Sequence, residues 1–218
     1  MKKRAISTML AIATVAAMGL AGCSSNDAAN NTAASSSASS VEASVSSEAG
    51  AAGPGGDAAG FTEIPIFEDE ELDFINLSAV YFQPVPMQSE TQTISAEDFD
   101  IHLEADISAL ENDLGYGVGD WVPYLTVDYD VIGSDGNSAA AGTFMVMSAS
   151  DGPHYGANIK LPDADTYSVK FTIHSPGENG YLIHSDSETG PGGLLEDHFG
   201  DGPITFTYEG WEYVPQEW

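Results

Sequence analysis

The sequence predicts an all-β protein, an immunoglobulin-like antiparallel β-sandwich, over residues 61–218. Short runs of alternating apolar and polar residues recur along this segment, as expected for strands with one buried face. Turn-forming Gly, Pro, Asp and Asn residues separate these runs. Antiparallel strands with one apolar face stack as two sheets around a single core.

Six runs carry this pattern and are predicted as strands: 75–82, 101–107, 125–131, 142–149, 166–174 and 204–208. In the third run Leu125, Val127, Tyr129 and Val131 are predicted to face inward. Residues 107–113 are predicted to form a helical turn or two, and the acidic run 68–71 to be a solvated loop.

The first 22 residues are predicted to be a secretory signal peptide, because a basic head precedes an apolar run that ends in Leu-Ala-Gly. With the following Cys23 this ending resembles the bacterial lipobox, whose cysteine becomes a lipid-modified N-terminus. A thiol present by chance is the alternative. We therefore expect a lipid anchor on Cys23, an extracytoplasmic location at the cell membrane, and a disordered Ala/Ser/Gly-rich tether over the rest of residues 23–60.

Charge and cysteine content exclude several classes of function. The chain has 34 Asp and Glu against 5 Lys and Arg, and three of the five basic residues lie in the predicted signal peptide. Nucleic acid is therefore excluded as a partner, since phosphate contacts need clustered basic residues. A polyanion attracts cations, although an acidic surface also simply keeps a secreted protein soluble. Because Cys23 is the only cysteine, a thiolate-ligated metal site is excluded from the domain.

The predicted strand 101–107 places three ionisable side chains on one face. Its alternation puts Ile101 and Leu103 on the core side, and His102, Glu104 and Asp106 on the opposite side. Residues two apart on a strand have Cα atoms about 6.5–7 Å apart, so an imidazole and a carboxylate here are close enough to share a metal. An ordinary polar outer face with a chance histidine explains the pattern as well.

Residues 143–158 combine methionines, a tight turn and a histidine. Met145 and Met147 alternate along the strand, and His154 follows the turn in a predicted loop, where functional residues are common. If Phe144 and Val146 face the core, both methionines lie on the polar side; the opposite orientation is also open. Thioether and imidazole groups together suit a soft metal.

Among the other histidines, His184 lies in a loop rich in carboxylates that could orient its ring. His174 is interpreted as an exposed strand-end residue and His198 as incidental. The sequence contains no HExxH, P-loop, GxSxG or EF-hand pattern, so a non-enzymatic role is expected.

Five blocks of the sequence, in this order, resemble the periplasmic high-affinity ferrous-iron transport family: YFQPV at 81–85, IHLEAD at 101–106, GDWVPYL at 119–125, FMVM at 144–147 and DGPHYG at 151–156. The resemblance implies an immunoglobulin-like sandwich, a homodimer, copper bound by His, Met and Glu side chains, and a role in iron uptake beside a membrane permease. It further implies, position by position, the metal ligands His102, Glu104, Met147 (rather than Met145), His154 and His184.

The sequence thus predicts a membrane-anchored extracytoplasmic lipoprotein that binds copper and supports uptake of Fe²⁺. Two alternatives remain open. The protein could be a copper redox partner that sets the oxidation state of iron at the permease, or an adhesion module that binds no metal.

Overall fold

A computed structural model of the protein describes residues 62–218, so the predicted signal peptide, Cys23 and the whole predicted tether lie outside the described residues. Within them the strands are β1 (Ile64–Leu72), β2 (Ile75–Phe82), β3 (Met87–Gln88), β4 (Thr93–Ile94), β5 (Ile101–Ala109), β6 (Thr126–Ile132), β7 (Ser138–Thr143), β8 (Met145–Ser148), β9 (Pro153–Ile159), β10 (Asp165–His174) and β11 (Ile204–Tyr213). No helix in this part of the chain is long and apolar enough to cross a bilayer.

The strands form two main sheets, and the paired strands in both are antiparallel. One sheet has the order β1-β2-β5-β9-β8, and the other has the order β11-β10-β6-β7. A small hairpin, β3-β4, leaves the end of β2. The predicted antiparallel β-sandwich is confirmed.

The core lies between the two sheets and follows the predicted alternation. Val127 and Val131 of β6 and Val169 and Phe171 of β10 have no exposed surface. Burying a side chain of this size contributes about 1.5–3 kcal/mol to the stability of the fold. The Tyr155 hydroxyl fastens the segment before β6, because it donates to Val122 O at 2.8 Å and accepts from Leu125 N at 3.1 Å.

The predicted strand 142–149 is in fact two strands in different sheets. β7 pairs with β6, whereas β8 pairs with β9. Phe144 marks the crossing: its ring is buried between the sheets, stacked 4.7 Å from Tyr129. An inward aromatic ring at the point where the chain changes sheets explains why the alternation looks continuous in sequence.

Two other local predictions are wrong. The predicted helical turn at 107–113 is absent, because β5 continues to Ala109 with Ile107 and Ala109 still on the buried face. The acidic run 68–71 is not a loop but belongs to β1. That strand forms a sheet edge with two irregularities in its pairing to β2, so its carboxylates remain in solvent while it pairs.

A 3₁₀ turn, Pro176–Asn179, and a short helix, α1 (Leu195–Phe199), are not predicted by the sequence. His198 ties α1 to the first sheet. Its Nδ1 lies 2.6 Å from Asp73 Oδ1 and its Nε2 3.1 Å from Asp113 Oδ1, so this histidine is a structural residue and not an incidental one.

Candidate metal centre

Strand register brings four of the five predicted ligands onto one face of the first sheet. His102 and Glu104 of β5 pair with Asn158 and Gly156 of β9, and Met147 of β8 pairs with His154. Directly paired residues in an antiparallel sheet project on the same side. The methionines of β8 therefore share the face of His102, which is one of the two orientations that the alternation left open. Val146 does not face the core, since it is 57% exposed.

This face is buried at the cluster, contrary to the expectation of a polar outer surface. His102 is 0%, Glu104 2% and His154 4% exposed. His154 is not in a loop but near the start of β9. Each of the three offers one ligand atom such that all three atoms lie within 4.8 Å of one another. His154 Nδ1 and Glu104 Oε1 are 3.3 Å apart.

The hydrogen bonds of Asn158 determine the tautomer of His102. The Asn158 Nδ2 group donates to Val85 O at 2.8 Å, so its Oδ1 must be the atom that faces His102 Nδ1, at 2.9 Å. An amide oxygen only accepts, hence Nδ1 carries a proton and donates. In a neutral ring the lone pair then resides on Nε2. That nitrogen is buried and has no hydrogen-bond partner.

Gly156 makes room for this nitrogen. A Cβ atom at position 156 would lie 2.6 Å from His102 Nε2 and 3.2 Å from Leu103 O. Leu103 O is a backbone atom of a paired strand, and the His102 ring is fixed by its hydrogen bond to Asn158. Neither neighbour can therefore move away freely. Glycine at this position is therefore a requirement of the cluster.

Both buried histidines are held neutral. Burial lowers the pKa of His102 to about 4, opposed by the hydrogen bond to Asn158 and aided by the proximity of His154, since two positive charges on neighbouring rings would repel each other. Burial also lowers the pKa of His154, and the nearby Asp151 charge offsets part of that effect. Neutral imidazole is the form that binds metals, so neither ring has to lose an acidic proton first at neutral pH.

The carboxyl groups around the cluster are shifted in the opposite direction. Burial raises the pKa of Glu104, and the charges on Asp106, Glu63 and Asp151 raise it further. Burial, followed by the charges on Asp151 and Asp106, raises the pKa of Glu63 to about 7. These groups retain protons because several carboxylates crowd into a poorly hydrated space. A cation placed among them would relieve that repulsion.

The cluster opens into a cavity of about 510 Å³ whose lining mixes two kinds of side chain. Its acidic residues include Glu63, Glu104 and Asp151. Its apolar and sulfur-containing residues include Phe82, Met87 and Met147. A second cavity of about 650 Å³, also acidic, adjoins it at His154.

His184 does not lie among the residues that line the cavity in the described chain. Its ring is exposed, and its Nδ1 is 2.8 Å from Thr189 Oγ1. One protomer thus brings together His102, Glu104, Met147 and His154, and leaves the fifth predicted ligand outside. His174 at the end of β10 is also away from this site, with its Nε2 3.1 Å from Asp128 Oδ2.

Sequence reasoning missed Asn158, Gly156 and Met87. The first two act through cross-strand neighbours, and the pairing of β5 with β9 cannot be read from local alternation. The only available signal was the DGPHYGAN run itself, in which His154, Gly156 and Asn158 alternate along one strand. Met87 lies 60 residues before Met147 in a segment without periodicity.

Fold and site together define a β-sandwich protein with a buried cluster of two neutral imidazoles and one carboxyl group, beside a thioether. Residues 60–214 match the family described as Fe²⁺ transport protein. The chain belongs to this family, and the resemblance noted in the sequence is confirmed.

Several relatives are known. The chain is 41% identical over 165 residues to the 34 kDa membrane antigen of Treponema pallidum. This match covers 74% of this chain and 79% of the antigen. FetP of uropathogenic Escherichia coli, as isolated after expression in the periplasm, is 42% identical and has a TM-score of 0.64, covering 72% of this chain and 100% of FetP. Copper-reconstituted P19 of Campylobacter jejuni is 37% identical with a TM-score of 0.64, covering 72% of this chain and 99% of P19.

The residues present fit a copper ion. An orphaned buried imidazole nitrogen, a second neutral imidazole, a carboxyl group and thioethers beside one cavity form a donor set of the kind that copper takes in proteins. The carboxylates that line the same cavity offer the oxygen donors that suit Fe²⁺.

Proposed function

We propose that this protein is an extracytoplasmic metal-binding lipoprotein that supports high-affinity uptake of Fe²⁺ through a membrane permease, with copper as its resident metal. Family membership and the copper-reconstituted relative support the metal and the process. The lipobox-like ending before Cys23 supports the anchor, and the periplasmic expression of FetP supports the location.

One observation carries the proposal: the lone pair of His102 Nε2 is buried without a partner. An unsatisfied buried polar atom costs about 1–3 kcal/mol, and a metal ion bound to this nitrogen would remove that cost. His154, Glu104 and Met147 lie around the same cavity. Asn158 holds the His102 ring through Nδ1, so that Nε2 has no hydrogen-bond partner. Gly156 has no Cβ atom that would crowd this nitrogen.

Copper would be held by His102, His154, Met147 and Glu104, and it would supply a soft Lewis-acid centre with two accessible oxidation states. Iron would be the cargo, attracted by the carboxylates that line the cavity. The protein's own contribution is to keep the imidazoles neutral and to surrender a carboxyl proton as the cation enters.

Copper titration tests the ligand set. We expect one high-affinity Cu²⁺ site per protomer, weakened in His154→Ala and in Met147→Leu. His174→Ala is the matched control, since His174 lies on the other sheet beside Asp128, and it should leave copper affinity unchanged. If neither His154→Ala nor Met147→Leu alters copper binding, the site is assigned wrongly.

We further propose a homodimer in which His184 reaches the cavity of the second copy. His184 is exposed and lies outside the cavity of its own chain. Residues 136–150, which include edge strands β7 and β8, contain no charged side chain in a protein of net charge −29. Two polyanionic copies would meet with least repulsion at such an edge, and Met147 places it beside the cavity.

A redox role for the copper is a second candidate, favoured by the mixed lining of the cavity. Its thioethers suit the reduced ion, Cu⁺, and its carboxylates suit the oxidised ion, Cu²⁺. Catalytic turnover of Fe²⁺ or Fe³⁺ by the copper-loaded protein would support it. Stoichiometric copper binding without turnover would reject it. An adhesion module without metal would leave growth in iron-poor medium unaffected when the gene is removed.

A further inference from the structure

A short segment of the chain, residues 83–88, borders the metal cavity; we call it the strap. It runs from the end of β2 through β3, and four of its residues, Val85, Pro86, Met87 and Gln88, line the cavity together with His102 and Met147. Met87 is half-buried and begins the small β3-β4 hairpin, where it pairs with Ile94. The strap therefore presents a thioether to the cavity that contains the two imidazoles.

The strap is fastened by the residue that orients His102. Asn158 Oδ1 accepts from Val85 N at 3.3 Å, and its Nδ2 donates to Val85 O at 2.8 Å, while the same Oδ1 accepts from His102 Nδ1. One amide thus fixes the backbone two residues before Met87 and the imidazole inside the cavity. Met87 and His102 are positioned relative to each other through a single side chain.

We propose that Met87 is an additional ligand of the metal site, a second thioether that makes the site selective for a soft monovalent cation of the Cu⁺ class. The inference rests on the proposed metal-binding function and deepens it. Thioethers prefer Cu⁺, whereas Cu²⁺ and Fe²⁺ favour imidazole nitrogen and carboxylate oxygen. Met147 reaches the cavity from β8 and Met87 from the strap, so two methionines and several carboxyl groups line the same cavity.

Packing alone does not account for Met87. Methionine commonly fills irregular gaps in a core, but Met87 is half-exposed, outside the core that the two sheets enclose, and on the border of an open cavity. The neighbouring strap residues Pro86 and Gln88 are exposed. An apolar residue without sulfur would serve a purely steric role equally well, which the test below exploits.

The test uses Ag⁺, a diamagnetic soft monovalent ion, with protein labelled with ¹³C at the methionine methyl groups. The described residues contain three methionines, Met87, Met145 and Met147, and single Met→Leu variants assign their signals. Met145 is the internal reference, because it lies on β8 with Met147 but is not among the residues that line the cavity. We expect Ag⁺ to shift the Met87 and Met147 signals and to leave the Met145 signal in place.

Affinities measured by competition with a chelator provide the second readout. Met87→Leu should weaken Ag⁺ binding by about tenfold or more, at least the loss seen when an outer-shell partner is removed from a metal site, and should weaken Cu²⁺ binding by a smaller factor, because Cu²⁺ depends less on thioethers. Met145→Leu should alter neither affinity.

A Met87 methyl signal that does not move while Met147 shifts overturns the inference and leaves the proposed function standing, as does an unchanged Ag⁺ affinity in Met87→Leu. Failure of all three signals to move, together with no binding of Cu²⁺ by the unaltered protein, overturns the proposed function itself. The labelling experiment on the unaltered protein is decisive even if Met87→Leu folds poorly.

Discussion

At the scale of single residues, the site works because its histidines are neutral and one of them is oriented. Burial lowers the pKa of His102 to about 4, and the hydrogen bond from its Nδ1 to Asn158 leaves Nε2 as the basic nitrogen. The same burial raises the pKa of the carboxyl of Glu104. The metal-free cluster is thus nearly uncharged, and an entering cation replaces protons that the carboxyl groups retain.

Replacing Asn158 with Leu should weaken both the fold and the metal site. The change leaves the Val85 N–H and C=O without their side-chain partner and frees the His102 ring. We expect a loss of about 1–3 kcal/mol in unfolding free energy and a decrease in copper affinity of about 10–100-fold. Denaturant unfolding and copper titration measure the two effects.

Asn179→Leu is the matched control, since the Asn179 amide also makes two hydrogen bonds, to Tyr124 O and Thr126 Oγ1, but lies on the surface away from the cavity. Its copper affinity should equal that of the unaltered protein. Unchanged copper affinity in Asn158→Leu would contradict the orienting role.

Glu63 should make the metal-free protein less stable as pH rises. Its pKa is raised from 4.5 to about 7 in the fold, so the cost of its charge is absent below 4.5 and complete above about 7. Glu63→Gln removes that cost. We therefore expect the variant to have the higher melting temperature at about pH 8 and no advantage at about pH 4, measured by thermal unfolding with a chelator present.

Glu90→Gln, in the exposed turn between β3 and β4, serves as the comparison and should show no such dependence on pH. An advantage of Glu63→Gln that is equal at both pH values would mean that carboxyl crowding at the cavity is not its cause.

At the scale of elements, local alternation predicts the strands whose limits follow from their own sequence. It fails where pairing with a neighbouring strand determines the limits or the sheet. β2 was predicted at its observed limits, and β6 and β10 to within a residue. The crossing at Phe144 was missed, because an inward aromatic residue fits the pattern of one strand or of two. The sequence predicts a loop at His154, because Pro153 and the neighbouring glycines resemble turn residues, whereas pairing with β5 and β8 makes this segment the strand β9.

The same limit applies to the site. His102 and Glu104 could be placed on one face from alternation alone, and Met147 and His154 followed from the family resemblance. Asn158 and Gly156 could not be recognised, since their partners lie 56 and 54 residues away and become neighbours only through register. Burial of the polar face was also unforeseeable, because it depends on chain segments that are distant in sequence from β5.

The element α1 is fastened by a histidine that contacts two carboxylates, which gives a second pH-dependent prediction. Partial burial lowers the pKa of His198, but hydrogen bonds and charge from Asp73 and Asp113 outweigh it and raise the pKa overall. A raised histidine pKa contributes stability that is complete below its ordinary value and is lost as pH rises through the raised value. His198→Gln should therefore lower the melting temperature more at about pH 6 than at about pH 9.

Asp201→Asn, an exposed change in the turn after α1, is the control and should cause a small effect at both pH values. If His198→Gln destabilises the protein equally at both, the two carboxylates do not act through the charge of the imidazole.

At the scale of the whole molecule, one protomer supplies four of the predicted ligands and exposes the fifth. The proposed homodimer resolves this arrangement if His184 enters the cavity of the second copy. The uncharged edge formed by β7 and β8 gives two acidic chains a surface on which to meet. The acidic remainder of the surface would then be free to attract cations to the cavities.

Mixing two defective variants tests that arrangement. His184→Ala and His154→Ala should each bind copper weakly alone. After subunit exchange, a mixed dimer combines the intact cavity of the first with the intact His184 of the second, so part of the tight copper binding should return. Sedimentation verifies that dimers are present. No recovery in a mixture that does form mixed dimers would place His184 outside the site.

The central claim is that His102, His154, Glu104 and Met147 form a copper site, and anomalous diffraction from copper-loaded crystals tests it most directly. Data collected on both sides of the copper absorption edge should show one strong peak per protomer, within coordination distance of His102 Nε2, His154 and the Met147 sulfur. A peak located away from His102 Nε2, or a cavity without any peak in copper-saturated crystals, would contradict the account.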